Sequence, residues 1–157
     1  MTRAADKAAM EVALAEARAA AAAGEIPIGA VILDGEGRTI SRGRNRREEL
    51  HDPTAHAEIV ALRAAGEAVG GWRLGGCTLV VTLEPCPMCA GAAMMARVDR
   101  LVFGAWNEDY GAAGSRWDLV RDRRLNHRVE VIGGVLAEEC GAMVREFMGS
   151  QRPGPEV

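Results

Sequence analysis

Residues Val80 to Met94 read VVTLEPCPMCAGAAM. An apolar run rich in β-branched residues ends at Leu83. Pro85 interrupts it, and small or unbranched residues with good helix propensity follow from Cys86. The pattern predicts a buried strand turning sharply into a helix, with two cysteines three positions apart at the corner and Pro87 suited to the first helical turn. Outward from this corner, strands and helices alternate. Residues 4–23 hold good helix formers without Gly or Pro and predict a helix ending at Gly24. IPIGAVILDGEGRTISRGRN gives two short strands around a Gly-rich turn at Asp34 to Gly37, a hairpin. Asp52-Pro53-Thr54 is a helix-start signal, and that helix should run to about residue 66 or 68. RLVFGA and HRVEVIGG are further strands, and VLAEECGAMVREFM a closing helix. The order implies an α/β fold, a three-layer α/β/α sandwich whose five-stranded sheet is mixed because of the early hairpin.

At 157 residues the chain reads as a single domain over 1–157, with the Gly/Pro-containing tail 149–157 frayed. Hydrophobic residues make up 48% and charged residues 26%, ordinary for a globular chain. Charges at Asp6, Lys7, Glu11, Glu16 and Arg18 interrupt the N-terminal region, so nothing there resembles a signal peptide or membrane span. With only four cysteines and no secretory feature, a disulfide framework is not implied, and a reducing, cytoplasmic setting is expected. A net charge of −3 argues against non-specific coating of nucleic acid, yet RGRNRR (Arg42 to Arg47) and RDRRLNHR (Arg121 to Arg128) hold eight of the nineteen cations. These runs reflect either codon bias or a phosphate-binding face.

The pair Cys86/Cys89 admits three readings: a redox motif, two buried small residues, or half of a zinc site. The third needs another ligand, and PTAHAE supplies His56 with Glu58 two residues on. Three ligands leave zinc one position for water, and a carboxylate beside it can move protons during a hydrolytic reaction. Cys77 and Cys140 lack such company and read as buried small residues. His51 is placed at the mouth of the site, and Met94 and Met95 in the core.

The joint pattern H-x-E…P-C-x-x-C, with 29 residues between His56 and Cys86, resembles the signature of zinc nucleobase deaminases. Together with IPIGAV, GRNR, HDPTAHAEIVALR, RLVFGA, GAAGS, LNHRVEV and LAEECGAMV, it makes the chain similar, from about residue 8 to 148, to the bacterial tRNA-specific adenosine deaminases of the cytidine-deaminase superfamily. The resemblance implies a cytidine-deaminase-like fold with one Zn2+ per chain on His56, Cys86 and Cys89, and Glu58 as proton shuttle. It implies substrate contacts from Asn45, Asn107, Leu83 and Phe147. The implied reaction is adenosine to inosine at the wobble position of a tRNA anticodon stem-loop, in a homodimer. A deaminase of a free base or nucleoside, of the cytosine or guanine type, is the alternative. Two departures stand out: the C-terminal segment offers only Arg152 where such enzymes often carry a basic helix, and Asn107 replaces a common aspartate.

Overall fold

The computed structural model describes residues 3–151. The chain runs α1 (Arg3–Ala22), β1 (Gly29–Leu33), β2 (Thr39–Arg44), α2 (Arg47–Leu50), α3 (Ala57–Val69), β3 (Thr78–Leu83), α4 (Pro87–Met95), β4 (Arg100–Ala105), β5 (Glu130–Ile132) and α5 (Ala137–Ser150), with a 3-10 turn at Leu119–Arg121. The sheet order is β2-β1-β3-β4-β5. β1 is antiparallel to β2 and β3, whereas β3, β4 and β5 are parallel, so the sheet is mixed as expected.

Period-two alternation divides the strands between two cores. Val31, Leu33, Val80 and Val102 pack with Met10, Ala13 and Leu14 of α1 and Cys140 of α5. Ile32, Leu79, Val81, Leu101 and Phe103 face the other way, onto Ala57, Ala61 and Ala65 of α3 and Ala90, Ala93 and Met94 of α4. Gly43 matters for the site. A Cβ there would collide with the Ala57 carbonyl, so only glycine lets the start of α3 lie against β2.

Three expectations need correction. Asp52-Pro53-Thr54 does not open a helix. The Asp52 carboxylate accepts the Thr54 N–H at 2.8 Å and the Thr54 hydroxyl at 2.7 Å, and this local turn delays the helix to Ala57. The short helix α2, absent from the sequence reading, is held by the buried carboxylate of Glu25, which accepts the N–H groups of Glu48 and Glu49. Met94 is buried but Met95 is 66% exposed, because neighbours on a helix point about 100° apart. Of the tail expected to fray, Gly149 and Ser150 belong to α5, and residues 152–157 lie outside the described residues.

Candidate metal centre and active site

The metal-binding corner is built from two helix starts. His56 is the N-cap of α3 and Cys86 the N-cap of α4, with Pro87 in the first turn. The free N–H groups and dipole at a helix N-terminus favour thiolate and carboxylate groups there. Nδ1 of His56 lies 3.7 Å from Sγ of Cys86 and 3.5 Å from Sγ of Cys89, and the three donors lie within 4.8 Å of one another. Tetrahedral zinc, with Zn–S of about 2.3 Å and Zn–N of about 2.0–2.1 Å, sets sulfur and nitrogen donors about 3.5–3.6 Å apart. The donor set therefore fits zinc in both chemistry and spacing.

The electrostatics show three groups already in conversation. The Cys89 thiol's hydrogen bond, with help from His56, brings Cys86 down to about 4. The same bond drives Cys89 up. His56 is raised chiefly by its contact with Cys86. Glu58, only 4% exposed in the first turn of α3, is pushed up to about 7 by burial.

A cavity of about 490 Å³ opens beside these groups, lined by His56, Glu58 and Cys86 together with Ile28, Arg47, Leu83, Glu84, Pro87, Met88, Asn107 and Tyr110. Leu83 and Asn107 thus join the metal corner. Cys89 is fully buried behind it. Asn45 and Phe147 line a smaller cavity of about 220 Å³, which shares Arg47 with the larger one. Oδ1 of Asn45 is buried and accepts no hydrogen bond among the described residues. His51 is not a lining residue. It caps α2 in a left-handed conformation, φ 50°.

The sequence reading passed over Glu84, Arg47, Ile28 and Tyr110. Glu84 left a usable signal, an acidic residue directly after a buried, mostly apolar strand. Arg47 left none, being one arginine in a run. That run is also less free than its composition suggests. Arg44 and Arg46 pair with Glu49, Arg42 with Glu16, Arg121 with Asp118 and Arg124 with Asp122. From the two clusters, Arg47, Arg123 and Arg128 make no ion pair among the described residues.

Residues 3–105 match the model of the cytidine and deoxycytidylate deaminase zinc-binding region. The chain belongs to that deaminase family. Within the family it is similar to the tRNA-specific adenosine deaminase of Bacillus subtilis (strain 168), 47% identical over 143 residues that cover 91% of this chain and 88% of the relative. The tRNA-specific adenosine deaminase of Haemophilus influenzae (strain KW20) is 48% identical over 152 residues, covering 97% and 88%. A solved structure from work on A-to-I editing by tRNA:A34 deaminases at the wobble position superposes with a TM-score of 0.82 at 45% identity, covering 86% of this chain and 97% of that one. A guanine deaminase from Nitrosomonas europaea has the same fold at 30% identity, with a TM-score of 0.76 and coverage of 91% and 84%.

Proposed function

We propose that this chain is a zinc-dependent hydrolytic deaminase converting adenosine to inosine at the wobble position of a tRNA anticodon loop, one deaminase domain per chain, working in the cytoplasm as a homodimer. The carrying observation is that His56, Cys86 and Cys89 converge at zinc spacing with the buried Glu58 on the same cavity. Relatives named for tRNA adenosine deamination match the chain over nearly its whole length. In the reaction the C6–N bond of adenine breaks, oxygen from water takes its place, and ammonia leaves.

Zinc, when bound by His56, Cys86 and Cys89, supplies a water of lowered pKa at its remaining position. Glu58 receives a proton on the attacking side and returns it to the departing nitrogen. Such a shuttle works best with a pKa near the working pH, which burial gives it. Ile28 and Leu83 give the cavity apolar walls suited to a flat base, and Asn107 sets a polar group among them. An unmet buried acceptor costs about 1–3 kcal/mol, so Oδ1 of Asn45 is poised to accept a hydrogen bond from substrate beside Phe147. A base in an anticodon loop is already partly unstacked, so turning it into the cavity costs less than from a duplex. Arg47, Arg123 and Arg128 remain available for phosphates.

The pairing of two copies rests on α4. Its nine residues, PMCAGAAMM, carry no Asp, Glu, Lys or Arg, yet Met88 and Met95 stand exposed about two turns apart. An all-apolar helix with an uncovered side favours a partner, and Met88 also lines the cavity, so that partner would help close the site. No helix among the described residues is long and apolar enough to cross a membrane.

The deciding experiment measures kcat/KM on an anticodon stem-loop and on free adenosine, cytidine, cytosine and guanine. The stem-loop should be much the best substrate. Comparable values on a free base would move the chain to the free-base deaminases, the class of the guanine deaminase named above.

A further inference from the structure

Glu84 stands between the cavity wall at Leu83 and the metal corner at Cys86, and its side chain is 1% exposed. No cation among the described residues pairs with it; its carboxylate is satisfied by donors of one loop. Oε1 accepts the N–H of Ala113 at 3.1 Å and of Ser115 at 2.9 Å. Oε2 accepts the N–H of Asn107 at 3.0 Å and the hydroxyl of Ser115. The loop is packed closely around it, since a Cβ on Gly111 would collide with Oε2. Asn107 and Tyr110, at the start of this loop, line the cavity. Both strand end and loop are further tied by Glu84 N–H to the Ala105 carbonyl, 2.8 Å, and Ala112 N–H to the Pro85 carbonyl, 2.8 Å.

A carboxylate taken out of water without a countercharge needs its acceptor sites filled by well-placed donors. Here every such donor comes from Asn107–Ser115, so the position of that segment is defined relative to the metal ligand Cys86, two residues further along the chain. We infer that Glu84 is a positioning residue. It latches the Asn107–Ser115 loop to the metal corner and so fixes the wall of the substrate cavity that carries Asn107 and Tyr110. This rests on the deaminase reading above for its activity readout.

Glu84→Gln tests the latch at one point. The amide oxygen can keep the N–H groups of Ala113 and Ser115, and the Ser115 hydroxyl can rotate to accept from the new NH2. The N–H of Asn107 then faces a donor and loses its partner. The expected result is a protein with full zinc content and a kcat/KM on the anticodon stem-loop lowered by about ten- to a hundredfold, the range for losing a hydrogen bond to a charged group. Because the loss acts through Asn107, combining Glu84→Gln with Asn107→Ala should cost little more than Glu84→Gln alone. Additive losses would mean that Glu84 acts elsewhere, and a loss explained by missing zinc would mean that it serves only the metal corner; either overturns the inference. Should wild type leave the stem-loop untouched, the reading of function fails, and amide exchange still decides the latch. In Glu84→Gln the Asn107 amide should exchange faster while those of Ala113 and Ser115 stay protected. Unchanged exchange at Asn107 would overturn it.

Discussion

Two buried glutamates share the cavity, and they are satisfied in opposite ways. Glu84 has both oxygens occupied by four donors from a single loop. Glu58 meets the Cys89 thiol and its own backbone N–H, and burial dominates its titration, pushing it up to about 7. A fully satisfied buried carboxylate is a structural tie, because every donor around it would lose by its removal. A buried carboxylate held mainly by lack of solvent can take and release a proton at little cost near neutrality. Burial alone therefore does not mark a catalytic group. The inventory of partners does.

The largest effect expected is at Glu58. Glu58→Gln keeps the volume and the cavity but removes the proton shuttle, so turnover should fall by about 10²–10⁴-fold, the usual worth of a general acid–base group. Zinc content should stay at one per chain and the melting temperature should not drop, since a neutral amide is less costly to bury than a carboxylate. Deaminase kinetics, metal analysis and a thermal scan on one preparation check this. Near wild-type turnover would erase the contrast with Glu84. By comparison, Cys89→Ser should lose the metal first and stability with it, because folding and binding are coupled at such sites.

A third buried carboxylate sharpens the comparison. Asp6 in α1 is 3% exposed and forms two parallel hydrogen bonds with the Arg100 guanidinium, 2.7 and 2.9 Å. Arg100 also reaches Glu130 of β5 at 3.1 Å. This pair ties α1 to β4, one strand in from the sheet edge, and borders no part of the metal cavity. Asp6→Ala leaves a buried guanidinium short of its main partner and should destabilise the fold by about 3–5 kcal/mol. Its kcat at a temperature where the variant is folded should match wild type. Denaturant unfolding and kinetics on the same samples separate the two, and a selective loss of kcat would contradict the division between tie and site.

How much of this was legible in the sequence follows the same division. The metal ligands and Glu58 declared themselves because zinc chemistry restricts residue type and spacing, and the β-branched apolar run at Val80 and Val81 marked a buried central strand, though not which residue faces which core. What remained hidden depended on partners far along the chain. The latch at Glu84 needs Asn107, Ala113 and Ser115, and the cap at Glu25 needs Glu48 and Glu49; no local pattern announces either. The start of α3 was misplaced because a local Asx turn at Asp52 outcompeted a plausible proline signal. The arginine runs were open to two readings, codon bias or a phosphate-binding face, and the structure adds that several of these arginines are engaged by neighbouring carboxylates.

The smallest effect concerns Asn107, and the structure redefines what it offers. Its Oδ1 accepts the Tyr110 N–H at 3.1 Å, an Asx-type bond that holds the loop start. That leaves the NH2 group as the end turned to other partners, and an NH2 group only donates. An aspartate in the same rotamer would spend one oxygen on Tyr110 and present the other as a charged acceptor. A 2′-hydroxyl can donate to that acceptor, whereas DNA has no such donor and leaves the charge near phosphates without compensation. Asn107→Asp should therefore raise the ratio of kcat/KM on an RNA hairpin to that on the matched DNA hairpin by about ten- to a hundredfold, the worth of one charge-assisted hydrogen bond. Most of the change should come from a fall on DNA. Asp109 is the nearby residue that could supply the same acceptor, but it is exposed and does not line the cavity. Asp109→Asn should accordingly leave the ratio where it was. If the ratio follows Asp109 and ignores Asn107, the loop that Glu84 holds is not reading the sugar, and its wall would serve the base alone.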